Sequence, residues 1–195
     1  MKTLKRILPI LIMGLFALPQ GAHAHLIGGN GLVSGVTHPL FGMDHLMAMV
    51  AVGIISTQIG SKTIWKVPAT FVLFMVVGGL LAISGISLPM VEIGIALSVL
   101  LLGIFIAFAK NIPANLAILC VALFAIFHGH AHGTEMPAIA HPALYASGFI
   151  ASTALLHITG VLIGHYARKT RFTLEVLRYA GVGMSMFGFI LLAGI

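Results

Sequence analysis

The sequence predicts an all-α fold: a polytopic membrane helical bundle, six transmembrane helices after a cleaved signal peptide. Three observations predict it. First, 59% of the 195 residues are hydrophobic and only 7% are charged, and the mean hydropathy is +1.13. A soluble domain carries about 25% charged residues, so ten basic and four acidic side chains cannot cover a water-facing surface on a chain this long. Second, the apolar residues fall into runs long enough to cross a hydrocarbon core of about 30 Å at about 1.5 Å per residue. Third, the lysines and arginines gather in alternate breaks between those runs.

The elements follow in order. Lys2, Lys5 and Arg6 precede the apolar stretch "ILPILIMGLFAL", Pro19 breaks it, and Ala22, His23 and Ala24 fit a small-x-small cleavage rule. Residues 1–24 therefore read as a signal peptide cut after Ala24. Cleavage takes the formal charge from +6 to +3 and makes His25 the first residue of a mature domain, 25–195. Six apolar segments follow at roughly 38–59, 67–86, 90–109, 113–133, 142–166 and 174–195, separated by "GSKTIWK", "SGISLP", "KNIP", "HGTEMPAIAHP" and "RKTRF". Lys62 and Lys66 lie in the first break, Lys110 in the third, and Arg168, Lys169 and Arg171 in the fifth, with Arg178 just beyond. By the positive-inside rule these breaks are cytoplasmic. Both mature termini then lie on the outer side of the membrane, which is where a signal peptide delivers the first of them.

The basic charge thus orients helices; it does not point to nucleic acid. The partner that composition implies is membrane lipid. Cys120, the single cysteine, sits inside an apolar run and reads as a small buried residue. "GSKT" at 60–63 mimics the tail of a phosphate loop, but Ile55 stands where the first glycine belongs, so no nucleotide engine is present.

The polar residues cluster at the outer ends of the segments. In "THPLFGMDHLMAM", His38 and His45 are seven apart, two turns of one helix, with Pro39 in its first turn and Asp44 a third of the way round. In "FHGHAHGTEMP", His128, His132 and Glu135 follow i, i+4, i+7, one stripe if the helix continues. His130 joins them only if the backbone extends, which Gly129 and Gly133 permit. Ionisable groups in lipid are costly and usually mark a pathway. Two such clusters suit one divalent ion, with imidazole favouring nickel, zinc or copper. The two segments are therefore expected to pack together. His25 adds an α-amine and an imidazole in one residue, a chelating pair.

Other residues keep two readings. Glu92 is either a ligand or a carboxylate favoured by a helix N-terminus. His157 is either a pathway residue or an interhelical hydrogen-bond donor. His165 reads as interfacial and His141 as a helix start ahead of Pro142. Met43, Met47 and Met49 suit copper(I) by chemistry and packing by habit. Gly160 and Gly164 suggest a close helix contact.

The motifs "HPLFGMDHLMAMVAVG" and "FHGHAHGTEMP", after a signal ending "AHAH", resemble the HupE/UreJ family of hydrogenase and urease accessory proteins, and the resemblance spans essentially the whole chain. It implies a permease carrying nickel, in some members cobalt, into the cytoplasm for metalloenzyme maturation, and not an enzyme. His38, Asp44 and His45 fall on the family's first motif; His128, His130, His132 and Glu135 fall on its second. The spacing His-x5-Asp-His is similar to the His-x4-Asp-His signature of the wider nickel/cobalt transporter group but longer by one residue. The metal is left open among nickel, cobalt, copper and zinc. Two other functions also stand: a membrane redox protein holding haem or di-iron, and a module that binds metal without moving it. Against a redox centre, the chain has no HExxH and few carboxylates.

Overall fold

A computed structural model describes residues 31–60, 63–108, 112–137 and 140–194; the signal segment with Ala24, His25, Lys62 and Lys110 lie outside the described residues. Among the described residues the chain is entirely helical: α1 (Gly31–Phe41), α2 (Met43–Ile59), α3 (Lys66–Ile83), α4 (Val91–Phe108), α5 (Ala114–Thr134), α6 (Pro142–Ala167) and α7 (Arg171–Ala193). The helices α3 to α7 are each long and apolar enough to cross a membrane, and α1 with α2, bent by 80°, qualify together as one broken span. Large apolar side chains ring the bundle: Leu73, Leu119, Leu155, Leu162 and Phe189 are all more than half exposed. An outer surface of that kind is stable against hydrocarbon, not water.

The first expected segment differs from the structure. It is not one helix from residue 38. The chain turns at Gly42, whose backbone is extended (φ −78°, ψ 105°) and leaves the helical path. Pro39 therefore lies inside α1, near its end, and not in a first turn. Gly42 also leaves space that a side chain would take: a Cβ there would stand 3.2 Å from Asp44 Oδ1 and 3.3 Å from His45 Nδ1. At the other end of the chain, the last helix begins three residues earlier than expected. Thr170 caps it by accepting a hydrogen bond from the Thr173 amide at 3.1 Å, which satisfies one of the free N–H groups of the first turn.

The packing pairs α3 with α5 and α4 with α7, while α6 takes both α1 and α2. Small residues set these contacts. Gly53 of α2 faces Gly160 of α6: a Cβ on Gly53 would lie 2.9 Å from the Gly160 Cα and 2.8 Å from the Val161 amide. Without a hydrophobic drive between helices in lipid, such close backbone approach supplies the van der Waals contact that holds them. Gly129 does the same for α5, lying against the Met75 backbone of α3, so the glycines of "FHGHAHG" serve packing inside a continuous helix.

The described charges sort by end with one exception, Glu175, which pairs with Arg171 at the basic end (3.2 Å). Lys66, Arg168, Lys169 and Arg171 lie at the ends of α3, α6 and α7 that share one face of the bundle, where Arg168 donates to the Thr57 carbonyl at the C-terminus of α2 (2.6 Å). Asp44 and Glu92 lie in the first turns of α2 and α4, and Glu135 caps the C-terminus of α5, all at the opposite end.

Candidate metal centre

The bend at Gly42 brings together what a straight helix would not. His38, on α1, folds back over His45, on α2, with ring centres 5.9 Å apart. His132, in the last turn of α5, lies 4.9 Å from the His38 ring and 4.7 Å from the His45 ring. One nitrogen from each of these three rings falls within 4.8 Å of the others. His128, one turn below His132 on α5, places its ring 4.8 Å from His45. His128 and His132 are fully buried, and His45 is 5% exposed.

Each ring is oriented by a neighbour, and the neighbour decides which nitrogen carries a lone pair. The Asp44 carboxylate accepts from His45 Nδ1 at 2.9 Å, which in the neutral ring leaves the lone pair on Nε2, buried and without a partner. The Glu135 carboxylate accepts from His38 Nε2 at 2.9 Å, which leaves the lone pair of the neutral ring on Nδ1. Ser98 spends its proton on the Ile95 carbonyl (2.6 Å), so at 2.8 Å it accepts from His128 Nε2, and His128 Nδ1 is the free, buried acceptor. His132 has both ring nitrogens buried without partners, its ring stacked on Phe149 at 5.1 Å. Buried polar atoms are normally satisfied, and with one nitrogen of each neutral ring unprotonated, three lone pairs here lack a protein partner, a donor set of the kind a cation takes. Carboxylate–histidine pairs of this kind fix ring orientation and raise basicity toward a metal. The His38 hydrogen bond also holds the Glu135 carboxyl below its ordinary value, against the opposing pull of partial burial.

Asp44 and Glu135, expected as ligands, each hold a histidine by a hydrogen bond. His130 departs from the expectation. The helix continues through Gly129, so His130 points away, and its Nε2 lies 3.1 Å from the Leu88 amide and 3.0 Å from the Ile86 carbonyl in the loop between α3 and α4. Glu92 does not reach the rings; with Asp44 it lines a cavity of about 110 Å³ at the same end. The two motif helices do not pack as closely as expected. By backbone α2 lies chiefly on α6, and α5 on α3, and the histidine rings fill the gap between α2 and α5. His157 is buried and bonds Met49 O at 2.7 Å; His165 is exposed; His141 caps α6 ahead of Pro142.

Sequence reasoning missed Ser98, Phe149 and Phe71, the last lying 5.6 Å from the His128 ring. A signal existed for Ser98 alone: it is the one hydroxyl in "VEIGIALSVLLLGIFIAF".

Fold and site together define a polytopic helical membrane protein with a buried, oriented histidine cluster at its acidic end. The family model described as HupE / UreJ protein matches residues 11–191. The chain is also 42% identical over 183 residues to Protein HupE of Rhizobium leguminosarum bv. viciae, a match covering 93% of this chain and 95% of that protein. The chain belongs to the HupE/UreJ family. No solved structure matches it.

Proposed function

We propose that this protein is a permease that carries a divalent transition-metal ion, nickel by preference, across the bacterial inner membrane into the cytoplasm for metalloenzyme maturation. The observation that carries the reading is the trio His38, His45 and His132, with ligand nitrogens within 4.8 Å of one another at the acidic end of an apolar bundle. Imidazole nitrogens suit nickel, copper and zinc, and carboxylates around the mouth attract a dication. The positive-inside rule puts the basic end in the cytoplasm and the histidine end outside. His25, at the start of the mature chain, would supply a further amine and imidazole. The membrane potential is worth about 2.3 kcal/mol per charge per 100 mV, so a dication gains about twice that on entering.

Uptake of radiolabelled nickel into proteoliposomes tests the reading, with cobalt, copper and zinc as competitors. Wild-type protein should concentrate nickel under an inside-negative potential. His45→Ala and His132→Ala should abolish uptake, while His165→Ala, exposed at the basic end, should not. Binding without flux would make the protein a metal-holding module instead.

A further inference from the structure

Below the histidine cluster lies a second group of buried side chains that the first site does not use. On α2, Met49 is one turn deeper than His45; on α6, Thr153 is one turn deeper than Phe149, which stacks on His132. Thr153 Oγ1 lies 3.3 Å from the Met49 sulfur and 3.7 Å from the Met75 sulfur of α3. Its single proton cannot serve both. Thr57 and Thr159 donate back to carbonyls of their own helices; Thr153 reaches across to two other helices. One further turn along α6, His157 donates Nδ1–H to the Met49 carbonyl at 2.7 Å, and its Nε2 is buried without a partner. Phe71 bridges the two levels, its ring 5.6 Å from His128 and 5.1 Å from His157. Met49, Met75 and Thr153 are 0% exposed and His157 is 2% exposed.

We propose that Met49, Met75 and His157 form a second, inner metal station, with Thr153 positioning the two thioethers. Two sulfurs and an imidazole make a neutral, soft donor set, which takes a monovalent soft cation tightly and nickel(II) weakly. The station's place in transport rests on the permease reading. An ion that enters an oriented imidazole site beside carboxylates must also leave it, and conduction needs successive sites that bind well enough to receive and weakly enough to release. A neutral thioether site one turn deeper meets that need. The three residues come from α2, α3 and α6, so the station sits where the helix carrying His45 meets two partners of the bundle.

Silver(I) is the probe, because it reads soft donors without redox change. Silver stoichiometry is measured by equilibrium dialysis on the full chain in detergent. The variants are Met49→Leu with Met75→Leu, which conserve volume, and His157→Gln, whose amide can still donate to the Met49 carbonyl. Each should hold one silver equivalent fewer than the parent, in the wild-type background and in a His45→Ala, His132→Ala background. In the wild-type background, nickel binding at the outer cluster should be unchanged in both variants. Nickel uptake should fall by at least the roughly tenfold that loss of even an outer-shell partner costs. Unchanged silver stoichiometry in either variant overturns the station. If wild-type protein binds silver at this station but moves no nickel, the permease reading fails and the station stands. If nickel uptake survives both variants at full rate, the station is not on the route.

Discussion

At the scale of single residues, the site is a set of decisions about where protons sit. His45, His38 and His128 each have one nitrogen committed to Asp44, Glu135 and Ser98, and the other nitrogen faces the cluster or lies buried beside it. The Ser98 contact is the most informative: with the hydroxyl proton on the Ile95 carbonyl, the shorter of its two bonds, the oxygen accepts from His128 Nε2. Ser98→Ala should leave the His128 Nε2–H without an acceptor and unfix the tautomer. Nickel affinity, read by calorimetry in detergent, should fall by about tenfold, as outer-shell losses do, and Ser98→Thr should restore it. Equal affinity in Ser98→Ala would remove His128 from the site. The histidines themselves were legible in the sequence because clustered ionisable groups in an apolar chain have few bland explanations. Their roles were not. Asp44 and Glu135 read as ligands because spacing reports proximity, not that each carboxylate accepts from a neighbouring histidine, and His130 read as a candidate because the path of the backbone through Gly129 and Gly133 was undecided.

At the scale of elements, the reading from hydropathy located the helices α3 to α6 within about three residues, since apolar runs in lipid must become helices. It failed at α1 and α2, where composition stays apolar through the break and only the backbone of Gly42 departs from the helix. That failure mattered, because the bend lets His38 fold over His45. The glycines at helix contacts were weakly legible: the pair Gly160 and Gly164 marked one face of α6, but the partner Gly53 could not be inferred from α6 alone. Gly53→Val tests this contact. Its Cβ would press on backbone atoms of Val161 and Gly160, at 2.8 and 2.9 Å, and backbone cannot rotate aside. Overpacking of that kind costs about 1–3 kcal/mol. The variant should lose monodispersity in detergent at a lower temperature than wild type. Because α2 carries His45 and Met49, nickel binding should weaken with it. Gly79→Ala, whose Cβ would meet nothing nearer than the Gly129 carbonyl at 3.4 Å, should behave as wild type. Equal thermal behaviour of the two variants would mean that α2 and α6 are held by something other than this contact.

At the scale of the whole molecule, direction is what turns a binding site into a route. One end of the bundle carries Lys66, Arg168, Lys169 and Arg171 with Glu175 paired to the last, the other carries Asp44, Glu92 and Glu135, and the histidine cluster sits at the second. Basic residues near span ends are retained on the cytoplasmic side, so Lys66 and Arg168 should face the cytoplasm and Glu135 the outside. The signal-like start predicts the same orientation by a separate route, since a cleaved leader exports the first mature residue. Single-cysteine labelling in intact cells, in a Cys120→Ala background, reads this directly. Cysteines at 135 and 141 should react with a membrane-impermeant maleimide, and cysteines at 66 and 169 should react only after the membrane is opened. Mass spectrometry of the extracted protein should find His25 as its first residue. The two measurements are independent, and their joint outcome decides direction. Outside labelling at 66 would invert the bundle and put the histidine cluster in the cytoplasm, where an ion leaving it would have to climb the membrane potential. The same ligands would then suit export or storage, and the uptake reading would have to be given up.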